Sequence, residues 1–512
     1  MKPYLIVLLS AFAAAFSLFG SRYIPTHDGE YHIIRFWQFF TMLSSGTLFP
    51  RWAPDLNNGY GVPLFTFQYP FPNYIGSALH FLGLSFVDSV KWTLGIGYLV
   101  AVTMSFVWLR RIFGKSAAVI GAITGAFVPY WFVDLYIRGA VGEVWGIAWV
   151  MASMAAVAAG KKIWIALSVF FLVVSHNIMA LLFVPMIGLY ALVKNVALVP
   201  AVMLGIGMAS YFWMPALYEQ QFIQGLSPVN IFEHFPDVSQ LLIPSWGSGF
   251  RGATGGGNEM SYQIGIVPLM LLISAGFLAI TGRGKQYKKE TLFALIMCSG
   301  AVVCMLPVSQ LLWRILPLAH FIQYPWRLLS VVLIMVPVIA SQVAARYRFG
   351  WGIALCAVLF AYGYSRPVTY EPRTDSYYLS HESLAKGTSS LGNAFQTLWF
   401  TSGNSTMPRE AVLSSGLVRV RKEAPTVFSL DISASGAGTL TMPVAYYPGW
   451  ALATSGDTRI GMPDAQGLLT FSTPEGKYRA AVSLQLTWWQ IAAICISILS
   501  LSVAAVSFIL RK

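Results

Sequence analysis

Of the 512 residues, 56% are hydrophobic, only 10% are charged, and mean hydropathy is +0.63. A soluble domain carries about 45–50% apolar and about 25% charged residues, so an ordinary soluble protein is excluded. The 15% aromatic content excludes a disordered chain. The net charge of +13 does not imply nucleic acid, because the basic residues are not massed in one patch interleaved with aromatics. They stand in short clusters between apolar runs: Lys2; Arg110, Arg111 and Lys115; Lys161 and Lys162; Lys194; Arg283, Lys285, Lys288 and Lys289; Arg346 and Arg348; Arg511 and Lys512. The one acid beside them is Glu290. Such segregation is what the positive-inside rule produces.

The apolar runs predict a polytopic α-helical membrane protein with about twelve transmembrane helices. They lie at roughly 4–20, 90–109, 116–133, 143–159, 163–175, 178–193, 196–214, 264–281, 291–306, 328–345, 350–364 and 488–510. With Lys2 in the cytoplasm, every basic cluster falls inside and both termini are cytoplasmic. The first run is read as an uncleaved anchor rather than a signal peptide. The 163–193 stretch is split at Ser175-His176-Asn177, since one long helix would put Arg283 to Lys289 outside. The four cysteines all lie in apolar runs, so no structural disulfide is expected, and no Cys/His spacing fits zinc.

The outer face receives the segments 21–89, 134–142, 215–263, 307–327 and 365–487. Residues 1–364 thus form the membrane module. Residues 365–487 form a small extracytoplasmic β-rich domain, read as a sandwich, and 488–512 the last span and tail. Period-two alternation in Val427 to Ile432 and in Leu468 to Thr473 marks strands there. Turn signals stand at Ser435-Gly436, Pro448-Gly449, Ser455-Gly456-Asp457 and Pro474-Glu475-Gly476.

The densest chemistry follows the first span, in Thr26-His27-Asp28-Gly29-Glu30-Tyr31-His32-Ile33-Ile34-Arg35. Thr26 is placed as the N-cap of a helix along the membrane surface. On that helix Asp28, His32 and Arg35 share one face, while Glu30 points towards the side of His27. A carboxylate poised where an apolar helix meets water is a candidate general base or metal ligand. Next comes Pro50-Arg51-Trp52-Ala53-Pro54-Asp55, in which Arg51 and Asp55 read as a pair. In Asn57-Asn58-Gly59-Tyr60-Gly61 the glycines force turns. In the shortest outer loop Arg138 is expected to meet Asp134 or Glu143, or to grip a phosphate with its planar fork. His176 with Asn177, and Arg327 after Pro325-Trp326, are further candidates. Segment 215–263 holds Glu219, Glu233, His234 and Asp237 and ends in a glycine-dense run read as a mobile flap. Tyr447 and Trp450 are read as core more readily than as a sugar platform.

These motifs resemble families of the GT-C glycosyltransferase superfamily, polytopic enzymes that take a sugar from a polyprenyl-phosphate carrier. More narrowly, the chain resembles the 6-pyruvoyl-tetrahydropterin synthase-related and YfhO-like membrane protein families. The resemblance rests on His27-Asp28-Gly29 with His32 and Arg35, Pro50-Arg51-Trp52-x-Pro54-Asp55 and Tyr136-x-Arg138-Gly139-Ala140-x-x-Glu143. It extends to Ser175-His176-Asn177, Gln323-x-Pro325-Trp326-Arg327 and Tyr447-Pro448-Gly449-Trp450. It implies an inverting sugar transfer on the outer face of a bacterial-type cytoplasmic membrane, to an envelope glycan, lipid or protein. Asp28 would be the base; Glu30, His27 and His32 would orient it or, with Asp28 and Glu30 as ligands, hold a divalent cation. Arg138, Arg327 and Arg35 would bind the donor phosphate. No nucleotide cofactor and no nucleic acid are expected. The alternatives are a flippase for lipid-linked glycans, which needs ionisable groups near the bilayer midplane, and a non-catalytic envelope scaffold.

Overall fold

The computed structural model describes residues 2–225, 230–249, 259–281, 287–316, 319–347, 349–380, 386–401 and 407–509. Most of the glycine-dense run, and Arg283, Lys285, Arg348, Arg511 and Lys512, lie outside the described residues.

Each expected span falls on a helix. Six helices are long and apolar enough to cross a bilayer: Lys2–Phe19, Phe86–Phe113, Val141–Ala158, Asn177–Lys194, Pro325–Arg346 and Trp488–Ser507. Three more qualify only as bent pairs. They are Lys115–Ala126 with Pro129–Arg138 at 47°, Val196–Met208 with Ser210–Phe222 at 61°, and Lys288–Met305 with Pro307–Ile315 at 87°. The remaining three, Lys162–Val173, Ile266–Ile280 and Gly350–Tyr364, are shorter. At about 1.5 Å per residue, helices this short do not by themselves cover a core of roughly 30 Å. Length and composition thus support six to nine crossings rather than the full twelve.

Helices used below are α1 (Lys2–Ala15), α2 (Gly29–Ser44), α3 (Phe71–Phe81), α4 (Phe86–Phe113), α5 (Lys115–Ala126), α6 (Val141–Ala158), α7 (Lys162–Val173), α8 (Asn177–Lys194), α9 (Ser210–Glu219), α10 (Lys288–Met305), α11 (Leu329–Arg346) and α12 (Trp488–Ile509). The 163–193 stretch divides where expected, between α7 and α8. There the His176 ring accepts the Met179 N–H at 3.1 Å and caps α8. The core forms where α4 packs on α6 and α5 on α11. Gly97 leaves room for the Trp145 ring and Gly121 for Pro337 and Ser341, the small-residue contact typical of membrane helices. The basic helix ends gather at one end of the bundle. Arg110 reaches the Tyr4 hydroxyl at 3.2 Å, Lys194 pairs with Glu290, and the Phe113 ring lies 4.7 Å from Tyr287.

Residues 412–484 form two antiparallel sheets. One runs β1 (Val412–Leu413), β4 (Gly438–Ala445), β8 (Leu468–Thr473), β7 (Met462–Pro463); the other runs β2 (Gly416–Ala424), β3 (Val427–Ala434), β9 (Gly476–Leu484), β5 (Trp450–Ala453), β6 (Thr458–Ile460). Their facing sides, Leu430 and Ile432 against Leu440, Met442 and Phe471, share one core, so the domain is a sandwich. All four expected turns separate neighbouring strands.

The sandwich is fastened to the helices. Buried Glu219, at the end of α9, accepts from the Tyr447 hydroxyl, from Trp489 Nε1 at 2.7 Å and from Gln490 Nε2 at 2.6 Å. Tyr447 and Trp450 are buried, as the core reading expected. The expected β-rich domain begins only at Val412, and residues 365–411 form a linker without strands among the described residues; within it Asp375 accepts the Phe86 and Val87 N–H groups at 2.7 and 2.9 Å and closes the start of α4.

Candidate active site

Asp28 stands at the N-terminal boundary of α2 and makes no side-chain capping bond. Thr26, expected as the cap, lies two residues upstream, and its hydroxyl is wedged beside Gly29 and Gly139. Main-chain bonds fix this corner: His27 N–H donates to the Ile137 carbonyl at 3.0 Å and Asp28 N–H to the Arg138 carbonyl at 2.9 Å. The start of α2 is thereby laced to the segment carrying Arg138. Among the described residues the Asp28 carboxylate makes no ion pair and no hydrogen bond.

Val133–Arg138 is a wide π-helical turn, closed by Gly139 at φ 64°. Such turns are rare and recur at functional sites. This one delivers Arg138 inward, where it is 5% exposed. Arg138 Nη1 donates to Glu143 at 2.8 Å, to the Tyr130 hydroxyl at 3.2 Å and to Asp134, so both expected ion pairs form. Tyr130 in turn donates to Glu143 at 2.6 Å. Arg138 lies 5.0 Å over the Trp326 ring. Arg327 Nε is 3.7 Å from Glu143, and its Nη1 donates to the Ile322 carbonyl and to Gln323, each at 2.8 Å. Two buried guanidinium groups therefore converge on one carboxylate, with Asp134 as a second acid. Among the described residues, Nε and Nη2 of Arg138 and Nη2 of Arg327 carry no hydrogen bond, which leaves donors for an anion.

Tyr69 completes the corner and was missed as a site residue. Its ring lies 5.0 Å from that of His176. Its hydroxyl feels the charges of Arg35, Asp28 and Arg327, and burial raises its pKa. The available signal was an aromatic in the polar-aromatic run before Pro70. Asn177 Nδ2 donates to the Phe67 carbonyl at 3.3 Å and pins this segment to the start of α8.

Other expected members are distributed as follows. His32 is buried on the face it shares with Asp28. Burial first, and the cationic Arg35 next, hold its pKa well below the ordinary histidine value. Arg35 donates to the Ser389 carbonyl through Nη2 at 2.6 Å and Nε at 3.2 Å, so it holds a linker loop while facing Asp28. His27 Nε2 contacts the Ser248 carbonyl at 2.6 Å, and burial lowers its pKa. Glu30 pairs with Arg373 of the linker, which leaves it an unsuitable partner for Asp28. Among the described residues no three His, Cys, Asp or Glu side chains assemble a metal site.

The Arg51–Asp55 pair does not form. Asp55 accepts from Gln38 Nε2 at 2.9 Å. Arg51 donates to Gln490 and, at 3.2 Å, to the Gln485 carbonyl. Both serve the joint between α2, the sandwich and α12. In segment 215–263 Glu219 belongs to that same joint. Glu233 accepts from Asn230 at 2.7 Å, Asp237 forms a capping box with Gln240, and the His234 ring lies 4.9 Å from that of Tyr324.

No family model and no curated protein matches the chain. Among solved structures it is similar to the arabinofuranosyltransferase AftD from Mycobacteria (16% identity over 73% of this chain and 27% of that one, TM-score 0.45). It is also similar to the oligosaccharyltransferase AglB from Archaeoglobus fulgidus, solved with an inhibitory peptide and a dolichol-phosphate (11%, 77% and 56%, TM-score 0.43). A third is ArnT from Cupriavidus metallidurans bound to undecaprenyl phosphate (15%, 69% and 62%, TM-score 0.41). The chain spans less than two thirds of the length of each.

Proposed function

We propose that this chain is a membrane glycosyltransferase of the GT-C type. It would move a sugar from a polyprenyl-phosphate donor to an envelope glycan, lipid or protein on the extracytoplasmic face of a bacterial-type cytoplasmic membrane. One observation carries the reading: Asp28, a carboxylate without a partner among the described residues, is tied by main-chain bonds to a buried arginine that keeps unspent donors among those same residues.

Asp28 takes the proton of the acceptor hydroxyl, that oxygen attacks the anomeric carbon, and the bond from that carbon to the phosphate oxygen breaks with inversion. The negative charge that develops on the leaving phosphate is met by Arg138 and Arg327. Glu143 keeps these two like charges together. Tyr69, whose ring lies 5.0 Å from that of His176, stands beside these charges, where the sugar would lie. The sequence resemblance supports the same assignment for Asp28. No charged residue of a described spanning helix lies in its middle third, which argues against transport through the bilayer centre.

The test is sugar transfer in proteoliposomes supplied with a polyprenyl-phosphate hexose. Asp28→Asn keeps shape and removes basicity, so transfer falls by about 10²–10⁴-fold. Wild-type transfer by Asp28→Asn overturns the reading.

A further inference from the structure

The Pro50–Gly61 motif is not consumed by the transfer chemistry, yet it is elaborately built. Asn57, Asn58, Gly59 and Gly61 all take positive φ, from 56° to 83°. Non-glycine residues seldom adopt such angles, and runs of them persist only where the surroundings hold them. Gly61 is obligatory, because any side chain there would strike the Trp52 ring.

The motif forms one wall of a cleft of about 240 Å³. The other wall is the sandwich. Both sheets break their register at this point: β2–β3 between Lys422 and Ala424, and β4–β8 between Met442 and Ala445. Lys422, Pro443 and Val444 line the cleft. Bulges of this kind re-aim side chains beside functional sites. The second break frees the Ala445 N–H, which donates to the Tyr60 carbonyl at 2.8 Å. Two independent sheets thus give up pairing where the loop arrives.

The lining has a definite chemistry. Pro54, Pro425 and Pro443 offer flat apolar faces. Arg409 is exposed, lies 4.9 Å over the Tyr60 ring and donates to the Asn58 carbonyl. Lys422 is exposed as well. Among the described residues neither cation has an acidic partner, and no acid lines the cleft. Its volume is below the about 300–1,000 Å³ of drug-sized sites, which suits a single sugar unit.

We propose that this cleft binds an anionic sugar, a saccharide unit bearing a carboxylate or a phosphate, with its C–H face on the prolines and its charge between Arg409 and Lys422. That the bound unit belongs to the acceptor rests on the transferase reading; the binding itself does not.

Ligand-observed NMR on the full-length protein in detergent tests it, with glucuronate, glucose 1-phosphate and neutral glucose as probes. At least one anionic probe is expected to bind about tenfold more tightly than glucose, and the tighter of the two identifies the anion. Lys422→Gln, which breaks no side-chain hydrogen bond or ion pair among the described residues, should weaken that probe about tenfold, Lys422→Arg should restore it, and Arg409→Gln with Lys422→Gln should abolish it. Asp28→Asn should bind as wild type does, so loss of transfer and loss of this site are read separately. Absence of anionic-sugar binding, no preference over glucose, or binding indifferent to Lys422→Gln overturns the proposal.

Discussion

Two buried carboxylates, Glu143 and Glu219, each lie at the end of a helix, and each is 0% exposed. Glu219 is saturated: a phenol, an indole and an amide from the sandwich and α12 all point at it. Glu143 is shared by two arginines whose donors it does not exhaust, and Asp28, laced to the Arg138 carbonyl, has no partner for its carboxylate among the described residues. A buried acid whose partners are spent fastens elements together. One whose cations retain free N–H groups, next to an uncommitted base, is arranged for something that arrives.

That contrast can be broken most forcefully at Asp28, where the expected 10²–10⁴-fold fall in transfer should come with unchanged thermal stability. Glu143→Gln should cost roughly 3–5 kcal/mol, because it takes from buried Arg138 and Arg327 the carboxylate they share and leaves Asp134 paired with Arg138 alone; a thermal-shift assay in detergent reads this directly. Glu219→Gln leaves an acceptor for three direct donors that are all neutral, with Arg51 joined to the site only through Gln490, and should cost only about 1–3 kcal/mol. Transfer per folded molecule should then stay at the wild-type level. If Glu219→Gln instead reduces turnover as Asp28→Asn does, the division between fastening and chemistry is wrong.

The smallest expected effect is a pH dependence. His32 is held neutral in the fold, so its folded pKa lies below its unfolded value near 6.5. The unfolded chain therefore binds the extra proton first. The stability contributed by the neutral ring is present above about pH 6.5 and is lost as pH falls below it, by up to about 1.4 kcal/mol per pH unit. His32→Gln should flatten melting temperature against pH between 6.5 and 5. An unchanged slope would show that His32 is not the group responsible.

The sequence was most informative where neighbours along the chain decide the structure. Alternation in Val427 to Ile432 and Leu468 to Thr473 located β3 and β8, and hydropathy located the helices. Asp28, His32 and Arg35 were found as a face because α2 has a fixed period. Spacing misled for Arg51 and Asp55: four residues apart in an irregular segment carries no geometry, and Gln490, far along the chain, claims Arg51. Glu219 was seen as an acid in a loop, with nothing local to announce Tyr447, Trp489 or Gln490. The π-helical turn was equally hidden, since no residue pattern in Val133 to Arg138 separates it from an ordinary helix end.

Main-chain lacing between residues 27–28 and 137–138 has a practical corollary. Because peptide groups set the spacing of the two backbone positions, exchanging the Asp28 side chain alters reactivity without letting those positions drift apart. Kinetic defects in Asp28 variants would then report chemistry itself, uncontaminated by rearrangement of the scaffold that holds it.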